Sequence, residues 1–143
     1  MVMSETLVGV WNLSSAEEEV HPDGRISHPF GSFRRGRLIY SPDGYMNALV
    51  TPLERRQIPT MLSPWAYEGA SLEDIAGLVS NCIAYSGPFK IVGTAVHHQV
   101  DASINPILVG QTLVREIALQ GRALTLTGPV NDQGTFLRIH WQR

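Results

Sequence analysis

Leu7-Val8-Gly9-Val10-Trp11-Asn12-Leu13 alternates without a break, with Leu7, Gly9, Trp11 and Leu13 in one phase and Val8, Val10 and Asn12 in the other. A period of two describes a strand with two unlike faces. The far end of the chain repeats the pattern, with Leu137, Ile139, Trp141 and Arg143 sharing one phase and Arg138 on the other. A first and a last strand of matching character predict a closed β-barrel. A barrel of about eight strands is wide enough to hold one small ligand.

Between these ends the strand signals recur. The first strand leaves Thr6 and fades into Glu17, Glu18 and Glu19. His21-Pro22-Asp23-Gly24 and Ser41-Pro42-Asp43-Gly44 are turn signals, because Pro presets one φ angle and Asp-Gly tolerates positive ones. The second turn joins Arg37–Tyr40 to Tyr45–Val50 as a hairpin. Residues 52–70 break the pattern, yet Met61, Leu62, Trp65 and Tyr67 are too apolar for a bare linker. That segment is expected to fold as a lid over the open end, or to serve as a homodimer contact or core packing.

Ser71 offers a helix N-cap, with Asp74 where a capping-box carboxylate lies, and Leu72, Ile75, Val79 and Cys82 recur at helical spacing. One helix is therefore expected from about Leu72 to Ile83. Tyr85-Ser86-Gly87-Pro88 reads as a break, after which strands return over Phe89–Val92, Ala95–Ser103, Thr112–Gln120, Ala123–Thr127 and Thr135–Gln142. The expectation is an all-β chain, an eight-stranded antiparallel up-and-down barrel with one short helix between its third and fourth strands, with a sandwich as the runner-up architecture.

Composition bounds what such a barrel does. With 143 residues, 43% of them hydrophobic and 17% charged, the chain fits one domain able to bury a real core. A net charge of −2 gives no broad attraction to phosphate backbones or anionic lipid, so neither nucleic acid nor membrane is an expected partner. Cys82 is the one cysteine, and Met1–Thr6 has neither the basic nor the apolar region of a secretory signal. A cytoplasmic protein is the reading that follows. No apolar run approaches the roughly 20 residues of a spanning helix.

These blocks together resemble the lipocalin-like domain family of the calycin superfamily over nearly the whole chain. The resemblance is carried by Leu7-Val8-Gly9-Val10-Trp11, His28-Pro29-Phe30-Gly31, Gly36-Arg37-Leu38-Ile39-Tyr40, Asp43-Gly44-Tyr45-Met46, Ile83-Ala84-Tyr85-Ser86-Gly87-Pro88-Phe89, Val96-His97-His98-Gln99-Val100 and Ser103-Ile104-Asn105-Pro106. It implies that Trp11 seals the closed end of the barrel and that Arg143 packs across it. The chain departs from secreted lipocalins in lacking disulfide cysteines and a leader, and in the place of its helix. The resemblance supplies no single activity, so function is argued from the lumen.

Inward and outward residues alternate along a barrel strand. Val96, His98 and Val100 share the apolar phase, which places His98 inside and His97 outside. Leu113, Arg115, Ile117 and Leu119 likewise point inward, so Arg115 is a charge on an apolar face. Such a guanidinium needs a carboxylate, carbonyls, water or a ligand anion. It either keeps its head in water near the mouth or pairs internally, or it anchors a carboxylate, enolate or phenolate. His98 is either a general acid–base group or a core histidine bonded to a tyrosine, with Tyr40, in phase with Leu38, the nearest partner and Tyr45 and Tyr85 others.

His97 and His98 point to opposite faces and cannot readily hold one ion, so no metal is expected. No dinucleotide fingerprint or nucleophile elbow is present, so no cofactor is expected either. The preferred reading is a barrel enclosing a small, largely apolar metabolite. Its polar contacts are His98, Arg115 and Tyr40, with Tyr45, Trp65, Tyr85 and Trp141 completing the ligand contacts. The alternative is a cofactor-free isomerase, cyclase or dehydratase in which His98 moves the proton and Arg115 stabilises an oxyanion. A third use is a filled barrel acting through its outer surface.

Overall fold

The structure, a computed structural model, describes residues 3–20, 24–27, 34–53, 69–80 and 82–143. After a single helical turn, α1 (Ser4–Leu7), come β1 (Gly9–Val20), β2 (Arg25–Ser27), β3 (Arg34–Tyr40) and β4 (Tyr45–Pro52). Helix α2 (Leu72–Val79) follows, then β5 (Ile83–Val92), β6 (Ala95–Gln99), β7 (Ala102–Ser103), a 3-10 turn at Pro106–Leu108, β8 (Thr112–Gln120), β9 (Ala123–Thr127) and β10 (Thr135–Gln142). Eight strands run round the barrel in the order β1, β3, β4, β5, β6, β8, β9, β10, and β10 closes it by pairing with β1. Every pairing is antiparallel. The two short strands sit beside this ring, β2 on β1 and β7 on β5.

The hairpin β3–β4 shows why the sequence closes this way. Leu38 and Tyr40, with Met46, Ala48 and Val50 opposite, are buried, while Arg37, Ile39, Tyr45, Asn47 and Leu49 between them are exposed. Its turn closes on Gly44 N–H donating to Ser41 O at 3.2 Å, with Gly44 at φ 92°, a value a side chain rarely tolerates.

Three boundaries differ from the sequence reading. β1 runs through Glu17–Glu19 to Val20 because these residues pair with β10 on one side and β2 on the other. A bulge between Leu13 and Ser15 flips the phase, so Ala16 turns inward and Glu17 outward, where its carboxylate meets His140 Nε2 at 2.7 Å. The helix keeps its Ser71 cap, with Asp74 N–H donating to Ser71 Oγ at 3.1 Å, but it ends at Val79. Cys82 therefore lies past the helix, and Ile83–Pro88 are already strand, because Ile83–Tyr85 find β4 partners in Val50, Leu49 and Ala48. The strand expected over Ala95–Ser103 is split at Val100-Asp101, where Val100 turns to bond Gln111 and Gly110. No residue of α2 is buried, and Leu72 is 86% exposed.

The end of the barrel beside α1 is filled. Leu7, Trp11, Tyr40, Met46, Phe89 and Leu124 pack there as part of the main core. Trp11 is fully buried, its indole N–H donates to Leu7 O at 2.8 Å, and the Arg143 guanidinium lies 4.2 Å from its ring centre while donating to Val8 O at 3.3 Å. That is the arrangement implied for Trp11 and Arg143 by the family resemblance. Arg143→Met removes both the cation–π contact and the donor, and is expected to lower stability by about 1–2 kcal/mol. The check is a lower urea midpoint at an unchanged slope; an unmoved midpoint contradicts the sealing role.

Candidate functional site

Beyond this packed end the lumen is open. A cavity of about 290 Å³ is walled by apolar side chains of β3, β4, β9 and β10, including Leu38, Val50, Leu126, Ile139 and Trp141. Cys82, Ile83, Ser103, Ile104, Asn105 and Leu108 line it as well. Its volume sits at the small end of the range for ligand pockets, and its mix of apolar walls with a few polar groups is typical of them.

Three strands bring three polar rings together at its base. Tyr40, at the end of β3, is 1% exposed, and its hydroxyl lies 2.7 Å from His98 Nε2. Tyr85, on β5, reaches the other ring nitrogen, Nδ1, at 2.8 Å. His98, on β6, is 1% exposed and lines the cavity together with Tyr85. Phe89 packs edge-on against Tyr40 at 4.7 Å between ring centres, which helps fix the rotamer. Both imidazole nitrogens are thus occupied, the core arrangement weighed from sequence.

Electrostatics reinforces the geometry. Burial, then the nearby Arg115 charge, then His97 push the His98 pKa down from 6.5 to about 3. Burial also raises Tyr85 above its usual 10.0 and Tyr40 well above it; Arg115 opposes both shifts, and Tyr85 adds to that of Tyr40. At neutral pH all three rings are uncharged. A proton shuttle works best near the operating pH with a free ring nitrogen, and His98 has neither.

Arg115 supplies the charge. It projects inward from β8 in phase with Leu113 and Ile117, lines the cavity and is half-buried. Its Nη1 donates to Val114 O at 2.9 Å and lies over Gly128, where an added Cβ would come within 3.4 Å of it. Among the described residues no carboxylate pairs with it. A half-buried cation facing an apolar cavity, with one carbonyl for company, is a ready site for an anion.

The lipocalin-like domain model matches residues 8–143. The chain belongs to the lipocalin-like domain family. No curated protein matches it closely enough to count as a relative.

As in the sequence reading, this lipocalin-like barrel turns His98, Arg115, Tyr85 and Trp141 toward one cavity. Trp141 is 3% exposed, and its indole N–H is buried without an acceptor among the described residues. Tyr40 stands behind His98 and does not itself line the cavity. Tyr45 is a correction: it is 55% exposed on the outer face, because it is one residue out of phase with Met46 and Ala48. Trp65, with the whole of Met61–Tyr67, lies outside the described residues, as does the His21–Asp23 part of the first turn.

Ser103, Asn105 and Cys82, which the sequence pattern does not mark as contacts, also line the cavity. Asn105 is held in place by turn chemistry, its N–H donating to Ser103 Oγ at 3.0 Å and its Oδ1 accepting from Ile107 at 3.2 Å. The Asn-Pro pair that starts this 3-10 turn was the available signal. Among the described residues no group of three His, Cys, Asp or Glu is placed to hold a metal. No helix among them is long and apolar enough to cross a membrane.

Proposed function

We propose that this lipocalin-like domain binds a small, largely apolar organic molecule in the barrel, with a polar head on Arg115. The observation that carries this reading is the charge of Arg115 on the wall of an otherwise apolar cavity, with no carboxylate partner among the described residues. Folding gains little from such an arrangement, since the half-buried guanidinium has one hydrogen bond, to the carbonyl of its own neighbour, to set against its loss of water. A ligand anion supplies the compensation that the chain does not. The occupied nitrogens of His98 favour holding a ligand over proton-transfer catalysis. The lone Cys82 supports a cytoplasmic setting.

Two measurements on one variant test this. Native mass spectrometry of freshly purified protein, with denaturing extraction, is expected to find an organic mass on the wild type and to lose it in Arg115→Leu. Uptake of an anionic ligand should fall about tenfold to a hundredfold, the worth of hydrogen bonds to a charged head. The same variant should be at least as stable as the wild type in urea. A variant that binds as before, or one that is destabilised by several kcal/mol, would show that Arg115 serves the fold instead.

A further inference from the structure

The Tyr40–His98–Tyr85 chain has two ways of ordering its protons, and they differ in which hydroxyl is left over. His98 is the neutral imidazole at pH 7, so one ring nitrogen donates and the other accepts. In one order Tyr40 donates to Nε2, Nδ1–H donates to the Tyr85 oxygen, and the Tyr85 O–H remains. In the other order Tyr85 donates to Nδ1, Nε2–H donates to Tyr40, and the Tyr40 O–H remains.

The surroundings of the two tyrosines decide between them. Tyr40 is 1% exposed, does not line the cavity and has no other hydrogen-bond partner among the described residues. Its leftover proton would be stranded in the core against Phe89. Tyr85 lines the cavity, so its leftover proton faces whatever fills that space. Stranding a buried hydroxyl disfavours an arrangement by roughly tenfold to a hundredfold, which selects the first order.

We propose that His98 carries its proton on Nδ1, fixing Tyr85 as a hydrogen-bond donor into the cavity, and that Tyr85 and Arg115 together select a ligand with a carboxylate head. This deepens the small-molecule reading and rests on it. Arg115 has donors and no acceptor, and the relay leaves Tyr85 with a donor to offer. A head that only accepts, and carries negative charge, satisfies both; an ammonium head satisfies neither and is repelled by the guanidinium. His98 is a positioning residue here, acting through Tyr85, because both of its ring nitrogens are already engaged.

The proton order is read directly by long-range 1H–15N correlation on the labelled full chain at neutral pH. The expected pattern is a protonated Nδ1 and an unprotonated Nε2; the reverse pattern overturns the proposal. Calorimetric titration with octanoate, 1-octanol and octylamine tests the ligand class. Octanoate should bind the tightest, and Tyr85→Phe should weaken it at least about tenfold and 1-octanol less, while leaving octylamine within about twofold. Equal binding of octanoate by wild type and Tyr85→Phe, or tighter binding of octylamine, rejects the carboxylate assignment. Uptake of none of the three contradicts the small-molecule reading and the carboxylate class with it, while the resonance pattern judges the proton order independently.

Discussion

Gly87→Ala is expected to lower stability by about 3–5 kcal/mol, a large part of what a domain of this size holds. A Cβ at Gly87 would stand 1.8 Å from the Gln99 carbonyl oxygen, 2.9 Å from its carbon and 3.1 Å from the Asp101 nitrogen. All three are backbone atoms, so no rotamer change makes room. The clash falls where β5 changes partner, from β7 at Tyr85–Ser86 to β6 at Phe89–Val92. Relief requires the two chains to part, at the expense of Asp101 N–H to Ser86 O at 3.0 Å and Ile104 N–H to Ala84 O at 2.9 Å. At about 1 kcal/mol each, with about 1–3 kcal/mol of overpacking, those losses make the estimate. Gly93→Ala is the comparison, since Gly93 has φ 62° but open space around it, and a cost of only about 1 kcal/mol is expected. Urea unfolding of both variants decides the matter, and a Gly87→Ala midpoint close to that of Gly93→Ala would mean that the strands part easily. The strand carrying Gly87 also carries Tyr85, and the segment it presses against leads to Ser103 and Asn105, so the close approach shapes the cavity wall.

The same residue shows where the sequence could and could not be read. Gly87-Pro88 looks like punctuation, and by local rules it ends a segment. In the fold it sits between two pairing partners, where Pro88 lacks an N–H at a gap in the ladder and Gly87 lacks a side chain at a contact. The helical spacing of Leu72, Ile75, Val79 and Cys82 ran past the true end of α2, because the pairing of Ile83 with Val50 is tertiary and leaves no local trace. Glu17–Glu19 looked like the end of a strand, since their pairing with β10 involves residues more than a hundred positions away.

Phase fared better than boundaries. The alternation that put His98 and Arg115 inside and His97 outside depends on one strand at a time; β8 keeps it throughout and β6 keeps it from Val96 onward. What alternation cannot supply is height along the barrel axis. Tyr40, Tyr85 and His98 meet because β3, β4, β5 and β6 pair in one register, with Tyr40 opposite Met46, Met46 opposite Gly87, and His98 opposite Phe89. Tyr45 failed for a related reason, as it belongs to the right hairpin but the wrong face.

Acid should destabilise this protein through His98 more steeply than through an ordinary histidine. In the unfolded chain His98 takes up its proton near pH 6.5, whereas in the fold, with burial as the main cause, it does so only at about 3. Between those values the unfolded state binds the extra proton, so stability rises with pH and falls as pH drops. The slope is about 1.4 kcal/mol per pH unit, fully present below 6.5 and exhausted below 3, or about 3 kcal/mol lost by pH 4. Since His98 is 1% exposed, solvent screening takes little from this figure. Comparing urea stability of the wild type with His98→Gln from pH 7 to 4 isolates the effect, because the carboxylates titrate alike in both. The wild-type curve should fall faster across that window; parallel curves would place the His98 proton uptake near its ordinary pH and contradict the buried relay. Arg115 is the second cause of the depressed pKa, and this ties the acid response to the ligand. An anion seated on the guanidinium cancels part of that field and raises the folded pKa toward 6.5, so protein loaded with an alkylsulfonate, whose head stays charged at pH 4, should lose less stability between pH 7 and 4 than the empty barrel, beyond the gain from binding seen at pH 7.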